Sequence, residues 1–77
     1  MNNPQEQKTL QNRLREYRVI PKISQWDLAL RSGVKQSRIS LIENHLVKPT
    51  TREKVKLSEA LNHAVEEIFP NQIDTHG

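Results

Sequence analysis

Apolar positions recur at helical spacing along most of the chain, and turn signals cut the pattern into five segments. Leu10, Leu14 and Tyr17 fall at i, i+4 and i+7 and predict an amphipathic helix over residues 6–18. Pro21 prevents that helix from continuing smoothly and biases Ile20 to an extended shape. Residues 19–23 are therefore predicted as a loop with three apolar side chains to bury. Ser24 then offers an N-cap hydroxyl to a second helix over 25–32, and Asp27 places negative charge near its N-terminus. Leu28 and Ala29 are its apolar positions, and Ala29 is small enough for another helix to cross closely. Gly33 supplies a left-handed turn at low steric cost. A third helix over 36–43 follows, with Val34, Ile39 and Ile42 on the apolar side. Thr50 and Glu53 resemble a capping box opening a fourth helix over 51–61. Leu57, Ser58 and Leu61 face its core side, the Lys54 stem lies along the core, and Asn62 takes the left-handed closing slot. A short fifth helix over 65–69 closes the core with Val65, Ile68 and Phe69 before Pro70 stops it.

Length and charge narrow the picture. Seventy-seven residues make one domain, here expected over 6–70 between a disordered tail at 1–5 and a frayed tail at 71–77. A core this small is marginal, so stability is expected from well-matched helices or from dimerisation. The chain has no cysteine, which excludes disulfides and thiolate metal sites. No apolar run approaches the roughly 18 residues of a membrane helix, and the first residues lack the pattern of a secretory signal. A cytoplasmic protein is the default expectation. The net charge of +3 hides an asymmetry: all twelve Lys and Arg lie in residues 1–56 with five acids, whereas 57–77 hold four acids and no Lys or Arg. The first three quarters suit a polyanion and the last quarter does not.

Between Ser24 and Asn44, two short helices fold about one glycine. The second of them shows Lys35, Gln36, Ser37, Arg38 and Ser40 on its polar face. The major groove of DNA admits one helix, and its base edges are read by hydrogen bonds: Gln pairs with adenine, Lys and Arg with guanine, Ser with either. The plainer alternative is a helix pair of a small bundle whose polar face meets only water.

From Leu14 to Phe69 the chain resembles the Cro/CI/Xre family of helix-turn-helix DNA-binding domains. The matching pieces, in order, are Leu14-Arg15-Glu16, Ser24-Gln25, Leu28-Ala29, Gly33-Val34, Ser37-Arg38-Ile39-Ser40, Ile42-Glu43-Asn44, Pro49-Thr50, Ala60-Leu61 and Glu66-Glu67-Ile68-Phe69. No piece is decisive alone; the ordered set covers about three quarters of the chain. The resemblance implies an all-α, compact, five-helix lambda-repressor-like domain that binds double-stranded DNA as a homodimer. It implies a bacterial or phage regulator, a repressor or a Cro-like switch protein. Lys35, Gln36, Ser37, Ser40 and Leu41 are then base-reading residues, and Gln25, Arg38, Asn44 and Lys48 phosphate contacts. It also implies a structural ion pair between Arg15 and Glu43.

Several positions depart from the family pattern. About seven residues normally separate the first-helix arginine from the glutamine, yet Arg15 and Gln25 are ten apart. Trp26 and Leu30 share a face that the family keeps polar. Three readings are open for them: packing under the 19–23 loop with Ile20 and Ile23, a partner-binding patch, or contact of Trp26 with the DNA backbone. Leu41 stands where the family places a polar reader, and either packs on a thymine methyl group or reads nothing. His45 replaces a glycine expected at positive φ. Leu46 and Val47 replace basic residues, which either removes phosphate contacts or makes this loop a dimer surface.

An enzyme is not expected. The chain has no glycine-rich phosphate loop, and its three histidines, His45, His63 and His76, lack zinc-site spacing. His63 is expected as a packed, neutral ring. No metal or cofactor is implied. The competing function is an antitoxin or protein-interaction module that retains the helix-turn-helix shape, using Trp26, Leu30, Leu46 and Val47.

Overall fold

The computed structural model describes residues 12–70 as five helices: α1 Leu14–Val19, α2 Gln25–Ser32, α3 Gln36–Glu43, α4 Thr51–Leu61 and α5 Val65–Ile68. No strand occurs among the described residues. α2 packs against α3 and α4, α1 against α3, and α5 against α4. Leu14, Leu28, Ile39, Ile42, Leu57 and Ile68 are fully buried where these helices meet, with Phe69 and Leu61 at the margin. No described helix is long and apolar enough to cross a membrane.

The start of α1 differs from expectation. Asn12 and Arg13 are not helical, so the predicted helix over 6–18 does not run unbroken, and residues 6–11 lie outside the described ones. Asn12 Oδ1 accepts the Leu14 amide at 2.9 Å, a local bond that competes with helix, while its Nδ2 donates to the Ile42 carbonyl at 3.0 Å. The Arg13 amide donates to the Ile68 carbonyl at 2.8 Å. The chain is thus pinned to both α3 and α5 just before α1 begins.

The segment after α1 is a tight helix ending, not an enlarged loop. Lys22 takes a left-handed φ of 65°. Its amide donates to the Val19 carbonyl at 2.8 Å, and the Ile23 amide to the Arg18 carbonyl at 3.0 Å, the bond pair of a Schellman ending. Of the apolar residues there only Ile23 is buried; Val19 and Ile20 are exposed. Trp26 and Leu30 are exposed as well, at 63% and 68%. That corrects the loop-packing reading of these residues: among the described residues, neither Ile20 nor any other side chain covers this face of α2.

The other ends follow their local chemistry. Ser24 Oγ accepts the Asp27 amide at 3.0 Å, and Gly33 closes α2 at φ 78°. In the turn between α2 and α3, Ser32 Oγ accepts the Val34 amide at 3.1 Å. The Thr50–Glu53 capping box forms both of its bonds, and Asn62 ends α4 at φ 62°. His45 ends α3 at φ 60°. Lys54 is half-buried, and burial first, then Lys48, hold its ammonium below the ordinary lysine value. His63 is tilted against Tyr17 with ring centroids 4.4 Å apart, but its Nδ1 lies 2.9 Å from Glu67 Oε1. The ring is therefore partnered and partly exposed instead of packed away.

Candidate nucleic-acid interface

α3 owes its orientation to one buried carboxylate. Ile39, Ile42 and Glu43 are buried, and an isolated buried carboxylate is costly unless donors surround it. Glu43 receives a forked pair from Arg18: Nε donates to one carboxylate oxygen and Nη2 to the other, the latter at 3.0 Å. Gln25 Nε2 adds a third donor at 3.0 Å. Arg18 Nη1 meanwhile donates to the Ile23 carbonyl at 2.8 Å. One guanidinium thus links the end of α1, the start of α2 and the end of α3.

This arrangement corrects one expectation. The ion pair is Arg18–Glu43, not Arg15–Glu43; Arg15 is exposed. The signal was present in the spacing, since Arg18 lies seven residues before Gln25. The amide of Gln25, the expected phosphate donor, spends one of its N–H groups on Glu43.

Arg38 also differs from expectation. Its Nε and Nη2 donate to the two oxygens of Glu53, both at 2.8 Å. The same Glu53 carboxylate accepts the Thr50 amide at 2.9 Å. Arg38 is held as a brace between α3 and the first turn of α4, with two of its donors committed there. The fork from Arg38 is the main cause of a Glu53 carboxyl held below its ordinary value.

With Glu43 and Arg38 turned to structural partners, the surface of α3 is left to the remaining polar residues. Lys35, Gln36 and Ser37 are exposed at its start, Ser40 is half-buried, and Leu41 is exposed. Lys35 occupies the N-cap and makes no side-chain cap bond. Asn44 Nδ2 donates to the Ser40 carbonyl at 2.8 Å, and Lys48 is exposed. Leu46 is exposed, whereas Val47 is half-buried and packs against the core.

Charge gathers on the same side of the sequence. Between residues 12 and 56 each of the four acids is bonded to an arginine: Glu16 to Arg13, Asp27 to Arg31, Glu43 to Arg18 and Glu53 to Arg38. The cations left without such a partner include Lys35, Lys48, Arg52 and Lys56. Three of them, Lys35, Arg52 and Lys56, line an open groove beside the start of α3, with Gly33 and Thr50. The exposed acids Glu59, Glu66 and Glu67 lie in α4 and α5, after this region. No group of three or more His, Asp or Glu among the described residues is placed to hold a metal ion.

Two short helices hinged at Gly33, with a polar exposed face on the second and a buried ion pair behind it, define a helix-turn-helix domain. A family profile described as helix-turn-helix matches residues 14–68, and the chain belongs to this family, of Cro/CI type. It is a family of DNA-binding regulatory domains and not of enzymes. No curated protein and no solved structure gives a match.

Proposed function

We propose that the protein is a sequence-specific double-stranded DNA-binding regulator, a cytoplasmic repressor of bacterial or phage type, with α3 seated in the major groove. One observation carries the reading. Lys35, Gln36 and Ser37 stand exposed together at the start of α3, while the same helix is locked from behind by Ile39, Ile42 and Glu43. A side-chain set that is rigidly based and rich in donors is what base reading requires. Ser40 follows one turn on. Asn44 and Lys48 serve the backbone, joined by Arg52 and Lys56 of the neighbouring groove, which form no ion pair among the described residues.

A lone domain of this size covers only about 600–1,000 Å² of surface on DNA. The working form is therefore a homodimer on a pseudo-palindrome, its half-sites about 10–10.5 bp apart or a multiple of that turn. Selection from a randomised duplex library tests the reading. Wild type enriches one half-site, and Gln36→Ala loses about 1–3 kcal/mol on it and relaxes the preference at one base pair. Equal discrimination by the variant across the library contradicts the docking of α3.

The exposed Trp26 and Leu30, at i and i+4 on α2, favour a second reading. An antitoxin or interaction module would use that apolar face for a protein partner. In that case Trp26→Ala abolishes partner binding and leaves any DNA binding intact.

A further inference from the structure

The two ends of α3 present opposite chemistry, and the apolar end has no structural employment. Leu41 lies one turn beyond Ser37 and beside Ser40, on the side of the helix opposite the buried Ile39 and Ile42. It is 37% exposed. His45, at φ 60°, folds the chain back so that the Leu46 amide donates to the Leu41 carbonyl at 2.9 Å. A hydrophobic contact between the two residues that share this bond frequently accompanies such an ending. Leu46 is 67% exposed and, like Leu41, lies outside the core, whereas its neighbour Val47 packs against it. The Asn44 amide donates one N–H to the Ser40 carbonyl. The two leucines themselves offer no donor.

We infer that Leu41, backed by Leu46, reads the C5-methyl group of a pyrimidine; the inference rests on the proposed seating of α3 in the major groove. A leucine offers no hydrogen bond, and the C5-methyl of thymine is the one apolar feature that base edges show in that groove. 5-Methylcytosine carries its methyl group on the same ring carbon. The half-site therefore has hydrogen-bonding bases opposite Gln36 and a methylated pyrimidine opposite Leu41. Methylation of a cytosine at that position strengthens binding.

The test uses the half-site selected by the full chain. Each dT is replaced in turn by dU, which deletes the methyl group alone. Affinity is measured for wild type, Leu41→Ala and Leu46→Ala. At one position the wild type loses about three- to fivefold, the effect of uncovering one methyl-sized group. The factor falls to about one in Leu41→Ala and is reduced in Leu46→Ala. At that position 5-methyl-dC binds more tightly than dC by a similar factor. Because the readout is a ratio between two DNAs, a general loss of affinity in a variant does not imitate it. A selected half-site on which no dU costs binding overturns the inference alone. So does a dU penalty that survives in Leu41→Ala, and one unchanged in Leu46→Ala removes Leu46 from the reader. Failure to enrich any half-site overturns the seating of α3 and this inference with it.

Discussion

Three helices end on residues other than glycine in the left-handed region: Lys22 at φ 65°, His45 at 60° and Asn62 at 62°. Each is followed by the bond that closes a Schellman ending: Ile23 to Arg18, Leu46 to Leu41, and His63 to Ser58. Left-handed backbone costs an ordinary L-residue roughly 1–2 kcal/mol, and asparagine less because its short polar side chain bonds locally. Glycine removes that strain but loses about 0.5–1 kcal/mol in chain entropy. Lys22→Gly and His45→Gly are therefore expected to stabilise the domain by about 0.5–1 kcal/mol each, and Asn62→Gly by less. Urea unfolding of the three variants checks the ranking; an equal or larger gain at Asn62 contradicts it. His45 and Asn62 were readable as left-handed positions, one from the family pattern and one from residue type. Lys22 was not, because nothing in a lysine after Pro21 signals a left-handed turn.

Elements meet through two forked ion pairs that differ in depth. Arg18 and Glu43 are 12% and 1% exposed at their side chains, Arg38 and Glu53 33% and 17%. Removing one partner of a buried pair strands a desolvated charge and costs about 3–5 kcal/mol. Arg18→Ala is expected to reach that range, enough to unfold much of a domain this small, while Arg15→Ala stays within about 0.5 kcal/mol. Thermal melts of the two variants separate them; a destabilised Arg15→Ala restores the pairing expected from sequence. The spans of α2, α3 and α4 were legible from their caps and their apolar spacing. Sequence alone points to Arg15 as the partner of Glu43 because it leaves the helical ending at Lys22 unseen, so the ten-residue spacing from Arg15 to Gln25 reads as a longer loop. Once Lys22 ends that helix tightly, the arginine that reaches Glu43 is the one a turn later. The brace from Arg38 to Glu53 was not legible at all, since it joins side chains 15 residues apart whose residue types also suit solvent or phosphate. Trp26 and Leu30 gave a helical spacing, but spacing does not say whether a partner element exists to cover the face.

Over the whole molecule, charge sets both stability in acid and the side offered to a polyanion. The carboxyls of Glu16, Glu53 and Glu67 are held below their ordinary values. The Arg13 hydrogen bond is the main cause for Glu16, Arg38 for Glu53, and the Ala64 amide, ahead of His63, for Glu67. A carboxyl with a depressed folded value contributes stability in full above its unfolded value, about 4.3 for glutamate. That contribution fades as pH falls through the folded value. Glu53→Gln is accordingly expected to be less stable than wild type at neutral pH, with the gap narrowing as the wild type is acidified below about pH 4. A gap constant with pH contradicts the assignment.

Amide shifts of the ¹⁵N-labelled protein titrated with duplex DNA at low salt report whether the exposed start of α3 meets DNA. Shifts centred on Lys35, Gln36, Ser37 and Asn44 that fade as salt is added are expected. Silence at those amides, or shifts confined to Trp26 and Leu30, contradicts that contact.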